Sequence, residues 1–142
     1  MSPLVLDTNI VLDLLVFDDP RTTALRQALD GGACQCLATP PMREELLRVL
    51  DYPKLAPWLA RARLASDQVI AHWDGMVRLV EPAPKSPLRC RDPDDQKFID
   101  LAVAHRAQLL SKDLAVLALR RRLRLLGVAV EERWISTRHP AS

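Results

Sequence analysis

Apolar positions along the chain alternate between two spacings, and the changes of spacing divide it into short strands and longer helices. Residues 4–6 (Leu4-Val5-Leu6) form a short, partly β-branched apolar run of the kind buried on both faces of a sheet. Residues 10–17 then switch to a dense helical pattern, and residues 21–29 continue as a second helix with Thr22, Leu25 and Leu29 on one face. Asp30-Gly31-Gly32 ends that helix with the glycine expected past a helix terminus. Residues 34–38 predict a second strand. Pro40 or Pro41 starts the next helix, because a missing N–H is harmless in a first turn, and its amphipathic face over residues 42–50 stops before Tyr52-Pro53.

Two further helices are predicted over residues 57–64 and 66–73, the second capped by Ser66. Residues 77–80 read as a third strand, and the prolines of residues 82–87 as a loop. A helix opened by Asp92-Pro93-Asp94-Asp95 runs to about His105. It is followed by a strand over residues 108–110, one helix over residues 114–125 and, after Gly127, a fifth strand over residues 128–130. Strands alternating with helices imply an α/β fold, with a mainly parallel sheet of four to five strands covered on both sides. One domain over residues 1–135 and a frayed tail over residues 136–142 are expected.

Composition narrows the class without choosing a function. The 142 residues suffice for one core without disulfide or structural metal. A net charge of +2 hides a local basic cluster, Arg120, Arg121, Arg122 and Arg124, which reads either as a solvated helix face or as a contact for RNA phosphates. Three cysteines, without a signal-peptide pattern at Met1-Ser2-Pro3, fit reduced thiols in a bacterial-type cytoplasm. Cys34 and Cys36 lack the remaining ligands of a zinc site, and no apolar run reaches a membrane span. Trp58, Trp73 and Trp134 are expected to be packing residues.

The chemistry-bearing residues are carboxylates. Acids that follow separate strands of an open parallel sheet converge on one crevice, and this sequence places Asp7 after the first strand, Asp95 at the start of a helix and Asp113 after the fourth strand. Gathered carboxylates repel one another unless a cation lies between them, and an all-oxygen site prefers Mg²⁺ or Mn²⁺. Each acid also has a plain structural role. Asp7, Asp92 and Asp113 fit helix caps, Asp94 complements a helix dipole, and Asp13 is expected on a solvated helix face. Glu44 and Glu45 compete for a fourth position. Glu45 borders the apolar stripe of its helix through Val49, whereas Glu44 faces water, so Glu45 is the better ligand candidate.

Asp7-Thr8-Asn9, Glu45 within Glu44-Glu45-Leu46-Leu47-Arg48-Val49-Leu50, Asp92-Pro93-Asp94-Asp95 before Phe98, and Leu110-Ser111-Lys112-Asp113 together resemble the PIN-domain ribonucleases, from Val5 to about Glu131. The resemblance is nearest to the toxins of bacterial toxin-antitoxin pairs. It implies a PIN-like three-layer α/β/α sandwich in which Asp7, Glu45, Asp95 and Asp113 hold one or two Mg²⁺ or Mn²⁺ ions. Asn9, Ser111 and Asp92 would be supporting groups. The implied reaction is hydrolysis of RNA phosphodiesters without a covalent intermediate, the metal lowering the pKa of a bound water and stabilising charge on the phosphate. An antitoxin partner, a homo-oligomer (a dimer) and no membrane association are expected with it.

Two other classes compete. A hydrolase with an aspartyl nucleophile also places an acid after its first strand, but its usual second acid, two residues on, is Asn9 here. A non-catalytic PIN-like module binding RNA or protein would tolerate loss of carboxylates, whereas this sequence keeps the full set.

Overall fold

The computed structural model describes residues 1–135. The expected tail at residues 136–142 lies outside them. The elements follow the order β1 (Ser2–Leu6), α1 (Thr8–Leu15), α2 (Thr23–Asp30), β2 (Cys34–Ala38), α3 (Pro40–Leu50), α4 (Ala56–Ala62), α5 (Ser66–Met76), β3 (Val77–Leu79), α6 (Gln96–His105), β4 (Gln108–Leu110), α7 (Leu114–Leu117), α8 (Arg120–Leu125) and β5 (Val130–Glu131). Short 3₁₀ turns precede α2, α4 and α6.

All five strands are parallel, in the order β3-β2-β1-β4-β5. The chain moves outward from β1 through β2 to β3, then returns to the other side of β1 for β4 and β5. Right-handed crossovers therefore place the first connections and the last ones on opposite faces of the sheet. Consistent with this, α1, α3 and α5 pack on one another while α6 packs on β1 and β4. The result is the α/β/α sandwich, and the reversal of direction falls between β1 and β4.

The central strands are buried on both faces: Leu4, Val5, Leu109 and Leu110 have no exposed surface. From α6, Phe98, Ile99, Leu101 and Ala102 enter the same core. Removing a side chain such as Phe98 would cost about 3–5 kcal/mol through lost transfer energy and the cavity left behind. These losses would weaken the floor on which the polar crevice stands.

Several predicted boundaries shift for local reasons. The predicted helix over residues 114–125 is two helices, because the chain turns at Ala118 and Leu119, where Leu119 takes φ −97° and ψ 5°. The expected cap of α5, Ser66, is already helical. Ala65 is the N-cap, its N–H donating to Gln68 Oε1 at 2.7 Å. The fifth strand starts at Val130 rather than residue 128, after Gly127 turns with φ +85°. The positive φ is what calls for glycine; a Cβ at Gly127 would lie 3.3 Å from the Arg106 side chain, which would have to shift slightly. Two tryptophans pack as expected, Trp73 buried and Trp134 against the core, whereas Trp58 is exposed and meets the edge of Phe17 at 4.9 Å and the Arg61 guanidinium.

Candidate metal centre

At the carboxyl edge of the sheet, β1 and β4 are stitched together beyond their last residues. The Asp7 N–H donates to Leu110 O at 3.0 Å, which fixes Asp7 beside the end of β4. One of its carboxylate oxygens, Oδ1, accepts from the Asn9 N–H at 3.3 Å and so caps α1. The other, Oδ2, accepts from the Ser111 hydroxyl at 2.7 Å. Ser111 is wholly buried, and its oxygen accepts in turn from the Asp113 N–H at 3.0 Å. Asp113 then caps α7, its Oδ1 accepting from the Ala115 N–H at 2.9 Å. One buried hydroxyl thus holds two acids from separate strands in register.

Asp95 arrives from a different direction. Asp92 caps the Pro93–Asp95 turn by accepting from the Asp94 N–H at 3.0 Å, with Pro93 in the first position where its missing N–H is harmless. The turn ends with Asp95 directed inward, 6 % exposed, at the head of α6. Its Oδ2 is buried with no hydrogen-bond partner. Asp7, Asp95 and Asp113 each offer a carboxylate oxygen, and these atoms lie within 4.8 Å of one another.

That arrangement is electrostatically unfavourable by itself. Burial raises the pKa of Asp7, against the lowering effect of the Ser111 and Asn9 hydrogen bonds, and the charges of Asp113 and Glu45 raise it further. Asp95 is pushed up to about 8, first by burial, then by hydrogen bonding with Asp113 and by the charges of Asp7, Asp113 and Asp92. Such a group holds a proton near neutral pH unless a cation replaces it. An all-oxygen donor set with one buried oxygen lacking any donor fits a hard divalent cation, Mg²⁺ or Mn²⁺, better than a soft one.

Glu45 lies beside this trio and not within it. Its Oε2 accepts from the Thr8 hydroxyl, and its Oε1 accepts from Lys97 Nζ at 2.8 Å. Lys97 also donates to Asp94 O at 2.5 Å and stands over the Phe98 ring, 4.9 Å from its centroid. Glu44, one residue earlier on α3, is exposed.

The family model of the PIN domain matches residues 3–115. This chain belongs to the PIN domain family. No curated protein matches it. Among solved structures, one that resembles it is the crystal structure of VapBC2 from Rickettsia felis bound to a DNA fragment from its promoter. The likeness has a TM-score of 0.61 at 12 % identity and covers 91 % of this chain and 98 % of that chain. At that identity the likeness establishes the fold.

In this PIN domain the remaining candidates sit at different distances from the crevice. Asp92 is half-buried and bonded as a cap, and Asn9 contributes its backbone N–H while its side chain is exposed. Arg121, Arg122 and Arg124 are exposed on α8. Arg120 is engaged with β5, Nε donating to Val130 O at 3.0 Å. Asp13, expected to be solvated, is instead buried and paired with Lys112 at 2.5 Å. The reason is that α1 is enclosed by its neighbours, with all its residues except Asn9 buried. A lone acid inside an all-round apolar helix was the available signal for a buried partner. Sequence reasoning also missed Lys97 as the specific partner of Glu45, since a pair 52 residues apart leaves no local trace.

A separate cavity lies elsewhere. It is an open hollow of about 670 Å³ at the amino edge of the sheet, between α1, α2 and α5, lined by residues including Leu14, Leu15, Leu29, Cys34, His72 and Met76.

Proposed function

We propose that this PIN domain is a Mg²⁺- or Mn²⁺-dependent endoribonuclease, the toxin of a toxin-antitoxin pair, acting on RNA in the cytoplasm as a homodimer. The observation that carries the reading is the buried trio Asp7, Asp95 and Asp113 with its unpartnered Asp95 oxygen, a configuration that a divalent cation relieves. The VapBC2 complex, a structure of the same fold, supports an antitoxin as the partner. No helix among the described residues is long and apolar enough to cross a membrane.

Asp7, Asp95 and Asp113 hold the cation, and Glu45 is the fourth acid of the site, oriented by Thr8 and Lys97. When bound, the cation supplies charge stabilisation and water activation for in-line displacement at a phosphodiester. Ser111 keeps Asp7 and Asp113 at fixed separation, which limits the reorganisation the site needs on loading. The Lys97 ammonium lies beside Glu45, where it offsets part of the negative charge that would repel RNA. Exposed Arg121, Arg122 and Arg124 add phosphate contacts from α8.

Purified full-length chain should cleave single-stranded RNA internally with Mg²⁺ or Mn²⁺, lose this activity in EDTA and regain it when metal is restored. RNA binding without metal-dependent cleavage would overturn the enzyme reading in favour of a binding module.

A further inference from the structure

Between β3 and the turn that carries Asp95, residues 80–92 cross the surface without regular structure, yet they are firmly fixed. The Gln96 side chain is the clamp. Its Nε2 donates to Leu88 O at 2.8 Å, and its Oε1 accepts from the Cys90 N–H at 2.7 Å. A carbonyl and an N–H two residues apart face the same side in extended chain, so the amide of Gln96 stands where a residue of a neighbouring parallel strand would. Buried Asp100 completes the anchorage, Oδ1 accepting from Gln96 Nε2 and from the Ser86 N–H, both at 2.9 Å.

This clamp sorts the side chains. Leu88 and Cys90 are half-buried against the core, while Arg89 and Arg91 are exposed on the other side. Two positions apart on this anchored segment, the two arginines branch from backbone at most about 7 Å apart. Among the described residues no carboxylate pairs with either one. Arg21, Arg26, Arg43 and Arg120, by contrast, are all held by protein acceptors. Arg91 directly precedes Asp92, and four residues of chain can separate it from Asp95 by at most about 14 Å. The strap also runs close to the acids: after burial, the charges of Asp95, Asp113 and Asp92 help to raise the pKa of the Cys90 thiol.

We propose that Arg89 and Arg91 form a rail for successive phosphates of one RNA strand and lead it to the acid crevice, an inference that rests on the ribonuclease reading above. The crevice alone repels a polyanion, and two unpaired cations at fixed spacing beside it supply the missing attraction without entering the metal ligand set.

Binding of a fluorescently labelled single-stranded RNA to the full chain, measured by anisotropy in EDTA over a range of salt, tests this directly. The Arg89→Ala/Arg91→Ala variant should lower the slope of log affinity against log salt by about 1.4, two phosphates at about 0.7 each. Arg89→Lys/Arg91→Lys should keep the slope. Lys54→Ala/Arg78→Ala, an equal charge change at exposed positions on other elements, should also keep it. With Mg²⁺ the alanine pair should raise KM and leave turnover at saturating RNA unchanged. An unchanged slope in the alanine pair, or an equal fall in the control pair, would overturn the rail while leaving the nuclease reading intact. A slope that falls as expected in a chain that never cleaves RNA would do the reverse.

Discussion

The two edges of the same sheet make opposite kinds of concavity. The amino edge holds an open cavity of about 670 Å³, where the Arg26 guanidinium is answered: it donates to Leu14 O at 2.7 Å and pairs with Asp18. The carboxyl edge gathers three acids, one with a buried oxygen that nothing among the described residues satisfies. Folding tolerates the second arrangement only at a cost, because buried like charges and an orphaned acceptor both disfavour the native state. Unrelieved polarity therefore distinguishes the carboxyl edge, where the cation is proposed.

The sharpest way to break this contrast is substitution at each edge. Asp7→Asn should reduce metal-dependent RNA cleavage more than about 100-fold, since even partners behind the ligands of a metal contribute 10- to 100-fold. Its circular dichroism and Tm should stay near wild type, because Asn also caps a helix. His72→Ala, lining the amino-edge cavity, should leave kcat/KM within about twofold, as exposed substitutions usually do. Comparable losses at the two edges would mean that the cavity participates.

A second comparison sharpens the carboxyl edge itself. Glu45→Gln and Asp95→Asn should each lower cleavage by roughly tenfold or more, whereas their exposed neighbours, Glu44→Gln and Asp94→Asn, should change it by about twofold or less. Equal effects within either pair would show that the inward-facing acids are not the ones that matter.

A further expected effect is on stability and not on turnover. Asp95 has a native pKa of about 8 against an ordinary value of 3.8, so the folded chain binds a proton more readily than the unfolded one. That contribution is fully present below pH 4 and is lost as pH rises through about 8, so metal-free stability should decline across this window. In EDTA, differential scanning calorimetry should record a falling Tm between pH 5 and pH 8, at about 2–4 °C per kcal/mol for a chain of this size. Asp95→Asn should flatten that decline and raise the metal-free Tm at pH 8. Mg²⁺ should raise the Tm of the wild type and have little effect on the variant.

Much of the fold was legible because its strands are short apolar runs separated by helices with clear starts and stops. Cys34–Ala38 and Gln108–Leu110 coincide with their predicted spans. The break between α7 and α8 was not legible, since Val116, Leu119 and Leu123 keep a helical spacing across it and all face the core. At the site, the convergence of Asp7, Asp95 and Asp113 followed from where strands end in a parallel sheet. The contacts that hold Glu45 did not, because Lys97 reaches it from another element, 52 positions further along the chain. The burial of Asp13 was hidden for a similar reason: its partner Lys112 is 99 positions away and carries no periodic signal.

Asp7 and Asp113 both serve as helix caps, so folding and chemistry depend on the same atoms in different ways. A cap asks for an oxygen that accepts an N–H, which asparagine provides, whereas a cation asks for negative charge, which asparagine lacks. In the genetic code the two aspartate codons become the two asparagine codons by a single G-to-A transition. The proposed activity would therefore be lost in one mutational step, with a product expected to keep its caps and its surfaces. An inert copy arising in this way would differ from the active form in chemistry alone, and shape-based recognition would treat the two alike.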